Sequence, residues 1–427
     1  MNDTGAKEEG VRIEEGDRGD NTDNICQTEK SQSWIPKTIK KRVCSTFVED
    51  SFSSEFCQCG AARDDHASVA VGDYFSTAIL KHWESVQHSS EQPTDAFGEV
   101  QFAGASKRHS HFLRLSWSTE PSVVYNILTA QSIWGLPRPN LVVSVVGGES
   151  RTQVKTWVRE VLRQGLVKAS QSTGAWILTT GLREGVGRCV GQAVRDHAAA
   201  ASSVSLNKVV ALGIAPWGLV KKREQLVNPQ GSFPAKYYVH NISRDSCYLD
   251  NNYQAFLLVD DGSVGRRGGE TDFRARLEEY ISQQRTGIWG SGSIDIPVLC
   301  MLISGEADTL KRMDLSLKNF IPWLVVAGSG GLADFLSDVL ENLSSAPAVP
   351  SSGEGNNEAL KAPKVDLKDR VAERFKKHFP SETETDKLVE QVSADNRNIA
   401  LALRLQKSWG KDFLETVIWF SIVKRKS

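Results

Sequence analysis

Glycine-rich turns border four of the apolar runs in this sequence, and their spacing suits the binding of an anion. Where a strand leads into a helix, such a turn points unpaired N–H groups and the positive end of the helix dipole at a phosphate. No turn matches the P-loop pattern or the complete dinucleotide-binding fingerprint. Because tight turns also use glycine for backbone freedom alone, both interpretations stay open. The candidate ligand-binding residues are Gly147, Gly148, Gly181, Gly185, Gly187, Gly290, Ser291, Gly292, Gly328, Ser329, Gly330 and Gly331.

Acidic residues next to these turns offer oxygen ligands of the kind that calcium prefers. Asp260 and Asp261 end the run "AFLLVDDG", and Asp334 follows the last glycine turn in "GSGGLAD". The spacing is not that of an EF-hand loop, and aspartates at strand ends commonly shape turns. We therefore treat Asp260, Asp261 and Asp334 as candidate calcium ligands, with a role in turns as the alternative.

Three cysteines and a histidine near the amino terminus raise the question of a zinc site. Cys44, Cys57, Cys59 and His66 carry the donor atoms that zinc prefers, but C-x-C replaces the usual knuckle spacing and no second pair follows. The spacing favours ordinary buried or surface cysteines and leaves metal binding open. The seven cysteines are an odd number, and no secretory leader precedes them, so we expect reduced intracellular thiols.

The overall composition argues against several classes of function. The 51 Lys and Arg residues nearly balance the 52 Asp and Glu residues, so the net charge of −1 does not favour nucleic acid as a partner. No apolar run approaches the 18 or so residues that a transmembrane helix needs. The serine nucleophile motif G-x-S-x-G and the zinc-protease motif H-E-x-x-H are both absent. We predict that the chain is not an enzyme and, as given, does not span a membrane.

Apolar runs alternate with helical patterns through the middle of the chain. Six runs predict strands: "NLVVSVVGG", "AWILTTG", "KVVALGIAP", "AFLLVDDG", "DIPVLCMLISG" and "WLVVAG". Between them, apolar residues recur at i, i+3, i+4 and i+7, as at Val154, Trp157, Val158 and Val161, which predicts amphipathic helices. Continuously apolar strands joined by crossover helices form a mostly parallel, buried sheet. The predicted fold class is α/β, with a doubly wound, Rossmann-like sheet.

The composition also divides the chain into segments. We predict a disordered acidic tail at 1–32, an irregular flap at 33–104, the Rossmann-like domain at 105–343 and a flexible linker at 344–364. The remainder, 365–427, has weak helical periodicity and is predicted to be a short helical segment that begins a further homology region in truncated or divergent form.

With these motifs in view, the chain resembles the amino-terminal cytoplasmic region of the melastatin-type transient receptor potential (TRPM) cation channels, and most closely their calcium-activated, monovalent-selective branch. The stretches that carry the resemblance run in order from about Ser33 to Leu343. They include "SWIPKTIKKRVC", "CQCG", "PNLVVSVVGG", "QSTGAWILTTGLREGVGRCVGQAVRDH", "VVALGIAPWG", "FLLVDDGSVG", "YISQQRTG", "GSGSIDIPVL" and "LVVAGSGGLAD".

The resemblance implies a SLOG-like nucleotide-sensing fold that regulates and assembles a homotetrameric cation channel on the cytoplasmic side of the plasma membrane. It implies calcium and an adenine nucleotide or ADP-ribose-like compound as possible ligands. The pore and any membrane contact would belong to sequence downstream of this chain. Two alternatives remain: a soluble nucleotide-binding protein or LOG-like nucleotide hydrolase, and a short isoform that modulates full-length channel subunits.

Overall fold

A computed structural model describes residues 34–66, 82–104, 109–148, 154–200, 209–228, 234–239, 246–286, 294–345, 371–380 and 402–405. The strands, in chain order, are β1 Lys40–Cys44, β2 Ser89–Pro93, β3 Phe97–Phe102, β4 His109–Ser116, β5 Val142–Val146, β6 Trp176–Thr179, β7 Leu182–Arg183, β8 Val210–Pro216, β9 Ala235–Tyr237, β10 Ser246–Leu249, β11 Ala255–Asp260, β12 Arg285–Thr286, β13 Ile294–Asp295, β14 Val298–Leu302, β15 Trp323–Val326 and β16 Ala402–Leu405.

The helices lie mainly between strands of the central sheet. They are α1 Ile35–Thr38, α2 Ser85–His88, α3 Pro121–Thr129, α4 in three parts (Thr156–Glu160, a π-helical Val161–Val167 and Lys168–Thr173), α5 Gly185–Ala200, α6 Thr271–Ser282, α7 Thr309–Lys318 and α8 Gly331–Ser345. Residues 371–378 form a further helical segment. None of the helices in these described ranges is both long and apolar enough to cross a membrane.

Ten strands form the central sheet, in the order β16-β15-β14-β5-β6-β8-β11-β4-β3-β9. Every neighbouring pair is parallel except β3 and β4. The six predicted strands are β5, β6, β8, β11, β14 and β15, and each is buried along its whole length. The predicted Rossmann-like, mostly parallel α/β fold is therefore confirmed.

Two apolar cores, one on each face of the sheet, explain why polar and apolar residues do not alternate along the strands. Val142 and Val146 of β5 face the core that contains α6 and α7, whereas Val143 and Val145 face the core that contains α4 and α5. Helices cover both faces, so both sets of side chains leave water. The arrangement is a three-layer α/β/α sandwich.

The ends of the chain differ in part from the predicted segments. β3 lies within the range predicted as an irregular flap, yet it pairs with β4 and has a half-buried pattern that the apolar-run criterion misses. The irregular region therefore ends before β3, ahead of the predicted boundary at residue 104. At the other end, β16 extends the sheet from β15 inside a range predicted to be helical. Without β16, β15 would be an edge strand with unpaired backbone groups, which favour the addition of a further strand. The prediction of a helix rested on local periodicity alone and did not include this pairing.

Candidate functional site

A cleft opens at the carboxyl ends of β5 and β14, where the winding of the sheet reverses. From β5 the chain continues through β6, β8 and β11 on one side, and β14 then returns to the other side of β5. Ligands of open α/β folds bind at such a switch point. The cleft has a volume of about 80 Å³, which holds a phosphate-sized group and not a whole nucleotide. Its lining consists of Val146, Gly147, Gly148, Arg267, Gly268, Glu270, Thr271, Arg274, Gly305, Glu306, Asp308, Thr309 and Arg312.

Two helices begin at the cleft. Thr271 is the first residue of the 12-residue α6, and Thr309 is the first residue of the 10-residue α7. Both residues line the cleft, so the positive ends of two helix dipoles lie beside it. Gly147 completes the opposite wall with φ +90°, and a β-carbon there would come within 2.5 Å of the Ile303 carbonyl oxygen. Only glycine therefore allows the β5 turn to pack this closely against β14.

A buried ionic network forms the floor of the cleft. Glu278 of α6 is fully buried, and its two carboxylate oxygens pair with Arg274 and Arg312. Ser144 of β5 donates to Glu278 Oε1 at 2.5 Å, and Arg274 Nη2 donates to Ser144 Oγ at 2.8 Å. Burial raises the pKa of Glu278, but Arg312 and Arg274 lower it, and the net result is a pKa below the usual glutamate value. The floor thus holds two buried guanidinium groups for one carboxylate.

Two polar atoms in the wall have no hydrogen-bond partner in the described residues. They are Arg312 Nε and Glu270 Oε2, and both are buried. Burial raises the pKa of Glu270 because the charged carboxylate loses its hydration. Buried polar groups are almost always satisfied by protein or water, so these two atoms are exceptions among the described residues.

An ion pair at the rim joins the cleft to the second glycine turn. Arg267 donates to both oxygens of Glu184, at 2.7 and 2.9 Å, and Glu184 is almost fully buried. The sequence motifs did not indicate the arginines and acids of the cleft. A signal existed: Arg274 and Glu278 are four residues apart among the apolar positions Phe273, Leu277 and Ile281, a pairing that predicts charged groups on a buried helix face.

Comparison with known proteins identifies the family to which this chain belongs. The model of a family described as SLOG in TRPM matches residues 110–394, which is more than half of the chain. The chain belongs to this TRPM family.

Among its relatives is transient receptor potential cation channel subfamily M member 4 of Rattus norvegicus, 46% identical over 401 residues, which cover 93% of this chain and 32% of the relative. Subfamily M member 5 of Homo sapiens is 41% identical over 336 residues, which cover 77% of this chain and 27% of the relative. Subfamily M member 2 of Rattus norvegicus is 40% identical over 316 residues, which cover 73% of this chain and 21% of the relative. The TRPM chain described here thus spans about a third or less of the length of these relatives.

The glycine turns predicted to bind a ligand have different surroundings in this TRPM chain. Gly147 and Gly148 line the cleft. The last turn, Gly328 to Gly331, instead packs onto the loop after β14. Its helix donates from Leu332 N to Gly305 O and from Ala333 N to Ser304 O, both at 2.9 Å. The protein itself occupies these two N–H groups, which helps to dock α8, and ligand binding at this turn stays a prediction.

The second turn, which holds Gly181, Gly185 and Gly187, is closely packed. A β-carbon on Gly181 would come within 2.5 Å of the Gly213 backbone, and one on Gly187 would come within 2.9 Å of the Thr180 hydroxyl. These contacts explain both glycines by the approach of neighbouring chain segments. Gly290, Ser291 and Gly292 lie outside the described residues, so their predicted role stays a prediction.

The three candidate calcium ligands lie at two different places along the sheet edge. Asp260 ends β11 and pairs with Arg114 at 2.6 Å, and Asp261 accepts a hydrogen bond from Ser263 N at 2.9 Å. Asp334 lies in the first turn of α8, after β15, and accepts from Gly328 N at 2.7 Å. β11 and β15 are five strand positions apart, or about 24 Å at the usual strand spacing. The structure therefore does not bring Asp334 together with the other two, and calcium at any of them stays a prediction.

The structure does assemble the cysteines and histidine whose spacing had favoured ordinary thiols. Among the residues that it describes, one group of metal-ligating side chains comes together, formed by Cys44, Cys57, Cys59 and His66. The cysteines in the described ranges are all free of disulfides.

Proposed function

We propose that this chain is the amino-terminal cytoplasmic regulatory and assembly domain of a calcium-activated, monovalent-selective cation channel. Three things support the proposal: the TRPM SLOG family, relatives that are named as cation channels, and the resemblance to the calcium-activated branch. The pore would lie in sequence beyond this chain, and the domain would pack against its neighbours in a homotetramer at the cytoplasmic face of the plasma membrane.

The cleft at the switch point is the proposed sensing site. The observation that carries this proposal is that three arginines, Arg267, Arg274 and Arg312, line a cleft at which two helices begin. A guanidinium and two helix dipoles favour a negatively charged group. The cleft would hold the phosphate part of an adenine nucleotide or ADP-ribose-like ligand, with the remainder outside. Glu270, which lines the same cleft, would accept a hydrogen bond from a ligand hydroxyl.

Thr309 offers a direct test. Thr309→Glu places a negative charge at the cleft, and Thr309→Gln adds nearly the same volume without charge. An acidic residue is well tolerated in the first turn of a helix, so both variants should fold. We expect Thr309→Glu to weaken binding of ADP-ribose or ATP at least tenfold by titration calorimetry, which corresponds to about 1.4 kcal/mol, while Thr309→Gln stays within about threefold.

Equal affinity of the two variants would move the ligand away from this cleft. A wild-type protein that binds neither compound nor inorganic phosphate would refute an anion-sensing role. Thermal unfolding of both variants controls for loss of structure.

Channel regulation then requires that the ligand prefer one packing of the subunits, because a ligand shifts an equilibrium only by its difference in affinity for the two states. In native tissue, an antibody to residues 105–340 should detect a membrane band well above the 47.0 kDa of this chain. A soluble band near 47 kDa alone would favour the short isoform or a free nucleotide-binding protein. Turnover of a nucleoside monophosphate would favour the hydrolase alternative, although the Glu184 carboxylate is already held by Arg267.

A further inference from the structure

Four side chains from the irregular amino-terminal region meet at one point. Cys44 ends β1, while Cys57, Cys59 and His66 come from the following segment, which folds back on itself. One ligand atom from each of the four lies within 4.8 Å of the other three. The Cys59 sulfur is 3.4 Å from His66 Nε2. This cluster lies apart from the cleft, and none of its members lines that cavity.

The separation of the donor atoms fits a tetrahedral ion. Zinc–sulfur bonds of about 2.3 Å place neighbouring sulfurs about 3.8 Å apart in a tetrahedron, and the four donor atoms of the cluster lie within 4.8 Å of one another, close to that spacing. Three sulfurs and one imidazole are a common donor set for structural zinc. Calcium and magnesium require oxygen ligands instead, so the chemistry of the cluster excludes them.

The surroundings orient each donor toward the centre of the cluster. His66 Nδ1 lies 2.8 Å from the Ala62 carbonyl, so it donates there and leaves the Nε2 lone pair for a metal. Backbone N–H groups of Val48 and Cys59 donate to the Cys57 sulfur at 3.3 and 3.4 Å. The indole of Trp83 donates to the Cys44 sulfur at 3.2 Å. Such second contacts fix ligands and stabilise thiolates.

The region around the cluster has little else to hold it together. Among the described residues, its apolar core consists of Phe47, Val48, Trp83 and the cysteines, with Ala61 packed against it, and it is separate from the two large cores of the sheet. Residues 45–66 contain only isolated bridges and a single 3-10 turn. A core of this size usually requires a disulfide or a metal.

We propose that Cys44, Cys57, Cys59 and His66 bind one structural zinc ion. All four coordination positions are taken by protein, so the site is closed and has no place for a catalytic water. Binding displaces the thiol protons of the three cysteines into solvent, and affinity therefore falls with decreasing pH.

The zinc cluster also braces a loop of the sensing cleft. Val264 N donates to the Cys59 carbonyl at 2.7 Å, and Gly60 lies so close that a β-carbon would meet the Val264 oxygen at 2.1 Å. Three residues later the same loop supplies Arg267 and Gly268 to the cleft. Zinc would therefore hold the β11–α6 loop in place.

The test is the metal content of the full chain, purified without chelator or metal-affinity resin. We expect one zinc per chain by plasma mass spectrometry. Cys59→Ser should lose at least nine tenths of it, whereas Cys189→Ser, on α5 outside the cluster, should keep it. His66→Cys retains four ligands and should keep zinc even if Cys59→Ser does not fold.

Replacement by cobalt gives an independent readout. Cobalt-loaded wild type should show thiolate charge-transfer bands and the visible bands of a tetrahedral ion, and His66→Cys should shift them to longer wavelength. A folded wild type with less than 0.1 zinc, iron or copper per chain, or a disulfide between two of the three cysteines, would overturn the proposal. Iron or copper at one per chain would overturn the assignment to zinc. None of these outcomes depends on whether the cleft binds an anion.

Discussion

Replacing Glu278 by glutamine should destabilise the protein more than any comparable change on its surface. The substitution keeps the shape of the side chain and removes its charge. Arg274 and Arg312, only 3% and 4% exposed, then remain in the interior without the carboxylate that pairs with both of them. Breaking a buried ion pair from one side typically costs about 3–5 kcal/mol, because the abandoned charge cannot return to water. Since one carboxylate serves two guanidinium groups, we expect a loss in this range.

Urea unfolding measures this loss directly. With a denaturant slope of about 3 kcal/mol/M, the midpoint should fall by about 1 M or more. The matched control is Glu160→Gln on α4, which removes a carboxylate paired with Arg163 where both side chains are exposed. Exposed pairs contribute at most about 1 kcal/mol, so this midpoint should hardly move.

The difference between wild type and Glu278→Gln should also depend on pH. The pKa of Glu278 is lowered in the folded protein, so its ionised form contributes stability that is present above the unfolded pKa and lost as pH falls through the folded pKa. The two proteins should converge in acid. A loss below about 1 kcal/mol at pH 7, or a constant difference down to the folded pKa, would refute the ion-pair account of the cleft floor.

The remaining predictions concern other described residues. Burial raises the pKa of Glu270, so stability linked to its protonation is lost as pH rises through the folded pKa; Glu270→Gln should be more stable than wild type at pH 8 and equal to it at pH 4 in urea series. Gly181→Ala should cost about 1–3 kcal/mol because of its φ of +68° and its contact with the Gly213 backbone. Gly165→Ala, with free space around a helical glycine, should gain about 0.5–1 kcal/mol in the same assay; a loss of stability in Gly165→Ala or a gain in Gly181→Ala would contradict the respective prediction. Chelation of zinc should raise the rate of amide hydrogen exchange in residues 261–268, while exchange in β5 stays slow. Unchanged exchange in residues 261–268 would contradict the proposal that zinc holds this loop in place.

Much of the fold was predictable because it depends on patterns within short windows. The six runs such as "NLVVSVVGG" are apolar at every position, and only strands covered on both faces bury all of those side chains. The helical spacing at Val154, Trp157 and Val158 predicted α4 for the same reason. β3 and β16 were missed because pairing with a neighbouring strand, and not local pattern, places them in the sheet.

The candidate site was predictable only in part. Gly147 and Gly148 stand directly after a strand, so the rule for parallel sheets placed them at the ligand edge. The choice between them and the equally glycine-rich turn at Gly328 required knowing which N–H groups the protein itself uses. In the folded chain, Ser304 and Gly305 accept the bonds of that last turn.

By itself, the sequence determined the fold class, the family and the strand ends at which a ligand would bind, because these depend on burial patterns and motifs that are local in the chain. Tertiary structure decided which groups meet. Arg267, Arg274 and Arg312 reach one cleft because the strand order brings β14 beside β5. Cys44 joins Cys57 and Cys59 although the spacing matches no standard knuckle, because the chain folds back across the twelve residues between them. Contacts of this kind arise from the path of the backbone in space, which no local spacing encodes.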